Sequence, residues 1–263
     1  MSELLSYEFM QRALIAAFVT GVVAPTVGVF LVQRRLSLLG DGIGHTALAG
    51  VALGLLTGVA PLYTAIAIAI LGAVAIELIR AWGKANADVA LAILFYWGIA
   101  TGVLLVNLSG ASAANLTSYL FGSLSTVSSG DLIVVVVLAT LAFALVIGLL
   151  PQLFAISFDE EHAQVSGIRV HLLAIVLEII AAVTVTVAMR TVGLLLVSAL
   201  MVVPVAAAQN LARSFKTTFI GAVLIGLASS LGGVVFSFQI DTQPGPTIVL
   251  VALLFFIAAV VAA

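Results

Sequence analysis

Apolar residues run along this chain in long blocks separated by short polar or Gly/Pro-rich joints. Nine such blocks stand out, at residues 9–32, 43–58, 62–79, 89–108, 132–150, 171–189, 193–209, 217–236 and 246–262. A helical crossing of a bilayer takes ~20 consecutive, mostly apolar residues. Most of the blocks reach that length. The second and seventh are short for a full crossing, so each is read as tilted, broken or re-entrant. The pattern predicts an all-α fold: a polytopic transmembrane helical bundle of eight or nine spans, forming one domain over residues 1–263.

Composition strengthens this reading. Of 263 residues, 63% are hydrophobic and 8% charged, against roughly 45–50% and about 25% in soluble domains. A soluble fold of this length has too much surface to hide so many apolar side chains. The net charge of −2 gives no electrostatic reason to expect nucleic acid as a partner. There is no cysteine, which removes disulfides and thiolate metal ligands. The first eleven residues lack the basic start of a cleavable signal, carry Glu3 and Glu8, and read as a short interfacial lead-in to the first span.

Basic residues then orient the bundle. With the amino terminus outside, Arg34, Arg35, Arg80, Lys84, Arg169, Arg213 and Lys216 all fall in cytoplasmic connections, and only Arg12 and Arg190 lie near the outer face. The reverse orientation puts most positive charge outside. Two connections are long. The outer one, 109–131, is polar around Tyr119-Leu-Phe-Gly122 and has room for a short surface helix; its sequons at Asn107 and Asn115 matter only in a secretory pathway. The inner one, 151–170, offers Ser157 or Asp159 as a helix cap, the acids Asp159, Glu160 and Glu161 at the positive end, and Gly167 as a stop. It reads as a short charged helix over 158–170, with a plain solvated connector as the alternative.

Ionisable groups inside spans are costly unless paired or hydrated, so each is a functional candidate. Asp41 and His45 lie four residues apart in Gly40-Asp-Gly-Ile-Gly-His-Thr-Ala-Leu-Ala-Gly50, on one face of a helix. A carboxylate with an imidazole suits Zn²⁺, Mn²⁺ or Fe²⁺, and oxygen-rich sets lean toward Mn²⁺. The alternative is an Asp–His hydrogen bond that only holds the helix. Asp241, before the last span, is a third candidate ligand or else a helix cap. Glu178 lies well inside the sixth span, with His171 or a backbone group as its expected partner, and Glu77 and Asp88 are expected to pair with Arg80 and Lys84. Gly50, Gly54 and Gly58, and Gly98 with Gly102, recur every four residues, a spacing that lets helices approach. Pro204 interrupts the seventh block, and Ser198, about two turns earlier, is read as bonding its own backbone or facing a pore.

No Gly-rich run ends in Gly-Lys-Ser/Thr; Gly83-Lys84-Ala85 fails. Neither a His-Glu-x-x-His helix nor a Gly-x-Ser-x-Gly elbow occurs. No enzyme active site is therefore expected, and any ATP must be hydrolysed by another subunit.

Five segments in order give a family resemblance. These are Arg35 to Gly50 with its Asp-x-x-x-His-x-x-x-x-Gly core, Tyr119-Leu-Phe-Gly-Ser-Leu124, Phe158-Asp-Glu-Glu-His-Ala-Gln-Val-Ser-Gly167, the Val192–Ala208 stretch with Val-Gly-x-Leu-Leu-Val-x-Ala-Leu-x-x-x-Pro, and Asp241 with Pro244-Gly245. Together they resemble the membrane permeases of bacterial ABC importers for zinc, manganese or iron(II). The resemblance covers nearly the whole chain. It implies a type II-like importer permease in the bacterial plasma (inner) membrane, working as a homodimer with two cytoplasmic ABC ATPase subunits and an extracytoplasmic metal-binding protein. It implies no tightly bound cofactor, only the transported metal. Asp41, His45 and Asp241 become the expected metal contacts, and Asp159, Glu160, Glu161, Ala163 and Gly167 the expected coupling residues. Import by ATP-driven alternating access is the expected mechanism. The alternatives are a proton-coupled secondary transporter, using Glu178 or Asp41, and a permease for iron chelates or cobalamin.

Overall fold

Each apolar block becomes a helix in the computed structural model, which describes residues 7–82, 87–110, 119–122, 129–189 and 193–263. The long helices are α1 (Glu8–Gln33), α2 (Leu39–Thr57), α3 (Pro61–Ala81), α4 (Ala87–Ser109), α5 (Ser129–Gly148), α8 (Val170–Ala188), α10 (Phe215–Gln239) and α11 (Pro244–Ala262). Two short ones, α6 (Leu150–Phe158) and α7 (Glu160–Val165), lie between α5 and α8, and α9 (Leu194–Leu211) follows α8. Among the described residues, eight helices are long and apolar enough to cross a membrane, and α9 adds a further apolar run over Val197–Leu211. The chain is a multi-pass, all-α membrane protein.

The structure changes the sequence reading at several boundaries. The second block is a full crossing, because α2 starts at Leu39 rather than residue 43 and keeps Gly40, Asp41 and Gly42 inside the helix. Those residues lower the local hydropathy without ending the helix, since Asp41 finds a buried partner. The inner connection holds two helices: Leu149 ends α5, and Pro151 opens α6 in its first turn, where a missing N–H costs nothing. Gly58 takes φ +73° after the last turn of α2, with nothing within 4 Å of where a Cβ would sit. It ends the helix and does not pack it. The outer connection and the lead-in fall mostly outside the described residues, as do Lys84, Asn115 and Arg190.

Helix α2 forms the axis of the bundle. Within its most apolar stretch 78% of residues are buried, against 22% in α5 and 28% in α11, so α2 is wrapped by the rest of the chain while those two lie at its periphery. It touches α3, α4, α8 and α9. Glycines make the approach possible. A Cβ at Gly50 would lie 2.6 Å from the Ala65 Cα on α3, and one at Gly98 on α4 would lie 2.6 Å from the His45 carbonyl carbon. Lipid tails are as apolar as leucine, so close packing of this kind, rather than water exclusion, drives helix association in a bilayer.

The basic residues Arg34, Arg80, Arg169, Arg213 and Lys216 gather at one end of the helices through the up-and-down connectivity. Asp41, in the first turn of α2, belongs to that basic end. Asp241 follows α10 at the opposite end.

Candidate functional site

Asp41 and His45 are separated by one turn of α2, a rise of ~6 Å. No hydrogen bond joins them. Asp41 instead accepts a short hydrogen bond from the Ser198 hydroxyl of α9, which corrects the expectation that Ser198 bonds its own backbone. His45 is 9% exposed, and its Nδ1 is buried without a hydrogen-bond partner. Its ring meets Phe95 of α4 edge-on, with centroids 4.5 Å apart. A buried imidazole nitrogen with no partner is rare in a settled core. The Asp–His strut is thus not the arrangement observed.

Beside Asp41 lies a cavity of about 330 Å³, lined by Asp41, Phe95 and Tyr96, with Leu38, Asp88, Leu91 and Ala92; His45 is not among the lining residues and adjoins the cavity through its contact with Phe95. Asp88, expected to pair with the local cations, contributes a second carboxylate to the same cavity. Arg80 pairs elsewhere. A carboxylate at a cavity and an unpartnered imidazole nitrogen one turn away are groups of the kind that ligate divalent ions, and they are too few for a closed structural site.

Asp241 is not part of this group. It is exposed, with φ +52°, in the turn between α10 and α11. Nor does it cap α11, whose N-cap is Gln243. Among the described residues, no three His, Asp or Glu side chains form a metal-holding cluster.

The inner segment builds the predicted cap and stop. Asp159 accepts from the His162 backbone N–H at 2.9 Å. After α7, Gly167 adopts φ +82°, and the Ile168 N–H returns to the Ala163 carbonyl at 3.1 Å. Ala163 is buried, while Glu161 points to the surface. The helix is shorter than 158–170, covering Glu160–Val165. Phe158 and Val165 stand 74% and 88% exposed, two apolar tips at the basic end where charged residues prevail. Glu160 reaches Arg34, beyond the end of α1, at 3.4 Å.

Glu178 has a different partner from the one expected. Arg80 contacts both Glu77 at 2.7 Å and Glu178 at 3.1 Å, while His171 Nδ1 sits 3.8 Å from Glu77. Two carboxylates therefore share one guanidinium, all of it in the wall between α3 and α8. The local Glu77–Arg80 pairing was expected; the reach to Glu178, 98 residues away, was not. The sequence reading missed Ser198 as the partner of Asp41, Phe95 as the partner of His45, and Arg34 as the contact of Glu160. No spacing rule links residues so far apart, although Arg34 and Glu160 were both recognised as charges on the same side.

Two of the motifs also meet in space. A Cβ at Gly193, which has φ +90°, would strike the backbone of Phe121 and Gly122. The outer patch thus rests on the start of α9.

The ABC 3 transport family model matches residues 6–263. The manganese transport system membrane protein MntC of Halalkalibacterium halodurans is 31% identical, over 95% of this chain and 86% of its own length. The high-affinity zinc uptake system membrane protein ZnuB of Haemophilus influenzae is 30% identical, over 95% and 96%. Among solved structures, a chain of PsaBC from Streptococcus pneumoniae, in complex with Fab, superposes at a TM-score of 0.88 with 31% identity, covering 98% of this chain and 93% of that one. A chain of a metal-chelate type ABC transporter in an inward-facing conformation shares the fold at a TM-score of 0.68 and 17% identity. With a family match from end to end and relatives of this identity and coverage, this chain belongs to the ABC 3 transport family.

Proposed function

We propose that this chain is the membrane permease of an importer for divalent metal ions, manganese or zinc first, with iron(II) sharing the same ligands. The observation that carries the reading is the Asp41 carboxylate, which lines a cavity, with the unpartnered His45 nitrogen one turn along the most enclosed helix and set against Phe95 of the cavity wall. Two ligands plus water hold an ion weakly enough to release it. Asp241, at the opposite end, is assigned to the outer mouth as a separate contact. The chain works as a homodimer in the bacterial plasma membrane, amino terminus outside, and receives metal from an extracytoplasmic binding protein. The energy comes from two cytoplasmic ABC ATPase subunits. They engage the surface around Asp159, Glu160, Glu161, Ala163 and Gly167, with Phe158 and Val165 entering the ATPase as apolar tips. Closure of the ATPases on ATP rocks the two bundles and alternates the side to which Asp41 and His45 open.

The relatives named for manganese and zinc transport support this reading. The proton-coupled alternative is weakened because Glu178 is held by Arg80. An iron-chelate cavity would have no use for an Asp–imidazole pair. The test is uptake of radiolabelled manganese and zinc by cells carrying the full transporter with Asp41→Ala or His45→Ala at normal membrane levels. Both variants are expected to lose uptake; unimpaired uptake in both rejects the pathway assignment.

A further inference from the structure

Buried hydroxyls on helices usually bond the carbonyl one turn back, and Thr46, Thr184, Thr186 and Ser229 do so here. Ser198 does not. It is 5% exposed, and its one hydrogen bond goes to Asp41 Oδ1 on another helix. Packing enforces the meeting. A Cβ at Gly40, next to Asp41, would lie 3.0 Å from the Ser198 Cβ and 3.3 Å from its Cα. Helices α2 and α9 thus close on each other at this point because Gly40 has no side chain. Asp41 has no other hydrogen bond among the described residues, so Oδ2 is left without a protein partner.

We propose that Ser198 is a positioning residue that sets which divalent ion the pathway prefers. This rests on the reading of Asp41 as a metal contact. The Ser198 O–H engages one lone pair of Oδ1 and fixes the carboxylate's orientation, so Oδ2 is the readier contact for a passing ion and chelation by both oxygens is disfavoured. The serine oxygen keeps its lone pairs and stands beside the carboxylate as a further neutral oxygen. The local set is then oxygen-weighted, with a single imidazole one turn away. Oxygen-rich surroundings suit Mn²⁺, whereas imidazole suits Zn²⁺ at least as well. Loss of the hydroxyl frees the carboxylate, removes an oxygen, and leaves the nitrogen with a larger share of the binding.

The test uses the complete transporter in cells, with Ser198→Ala and Ser198→Gly, and measures the concentration dependence of manganese and zinc uptake. Both variants lack the hydroxyl, add no metal ligand and differ in packing, so an effect they share belongs to the hydrogen bond. Removing groups that orient a metal ligand weakens binding by about 10–100-fold. Both variants are expected to raise the KM for manganese about 10-fold or more and that for zinc by less than about 3-fold, with Vmax largely kept. Unchanged KM values in both variants overturn the inference. So does a fall confined to Vmax or membrane abundance at an unchanged manganese-to-zinc KM ratio, since that is the signature of a merely structural role. Asp41→Ala is run in parallel. If it abolishes uptake while the Ser198 variants behave as wild type, only this inference fails; if it transports normally, the metal role of Asp41 fails with it.

Discussion

Gly98 is where the packing of the bundle can be tested most sharply. Replacing a helix-interior glycine with alanine gains up to ~1 kcal/mol from backbone propensity. Two glycines on the same face of α4 set this gain against different surroundings. At Gly102 the added Cβ would sit 3.4 Å from the Ala49 nitrogen and from the Leu48 Cγ, an ordinary contact. At Gly98 it would sit 2.6 Å from the His45 carbonyl carbon and the Thr46 nitrogen, and 2.8 Å from the His45 oxygen. These are backbone atoms of the most enclosed helix, so no flexible side chain can swing away. Helix α4 must retreat by the better part of an ångström. Overpacking of this kind costs ~1–3 kcal/mol, which exceeds the propensity gain. The displacement also falls on the residue that carries the imidazole and on its contact with Phe95. Gly98→Ala is therefore expected to lower the melting temperature of the detergent-solubilised protein and to reduce metal uptake by at least about ten-fold, because ångström-scale misplacement of a working group is that expensive. Gly102→Ala should match or slightly exceed the wild type in stability and transport normally. Equal melting temperatures and equal uptake for the two variants would refute the argument that α4 is seated on the His45 backbone.

Other perturbations probe separate parts. Arg80→Met strands Glu178, 1% exposed, and Glu77, 4% exposed; breaking a buried ion pair from one side costs ~3–5 kcal/mol, seen as a large melting-temperature loss, and adding Glu77→Gln and Glu178→Gln should restore most of it. Asp159→Ala removes the cap of a six-residue helix at a local cost of ~1 kcal/mol; metal-stimulated ATP hydrolysis by the complex should fall while the melting temperature of the isolated permease stays unchanged. Val165→Asp places a charge on a side chain 88% exposed; the bundle should fold normally and co-purification with the ATPase should be lost.

Much of the fold was legible in the sequence because lipid imposes a simple rule on it. Blocks of apolar residues must be helices, and basic joints mark one side. The rule fails where a polar residue is satisfied by a distant partner. Asp41 made the second block look short, yet α2 runs through it because Ser198, 157 positions later, supplies a donor. Gly58 shares the four-residue spacing of Gly50 and Gly54 but lies one position past the helix end, and spacing alone does not mark where a helix stops. The i,i+4 relation of Asp41 and His45 was legible, being local. Their actual partners Ser198 and Phe95 were not, because they come from other helices. The same holds for Glu178, whose nearest titratable neighbour in sequence, His171, sits against Glu77 instead.

The ion cluster of α3 and α8 has a bearing on how the chain enters the membrane. Glu77 and Arg80 lie three residues apart on one helix, so α3 leaves the translocon with its own charges already balanced and can be released into lipid alone. Helix α8 has no such internal counter-charge near Glu178, so it enters lipid cheaply only where Arg80 is already waiting. The order of synthesis provides that, since α3 is made first. Nascent chains stalled after α8 should therefore need an intact Arg80 for α8 to partition stably, whereas chains stalled after α3 should insert whether or not Glu178 is ever made.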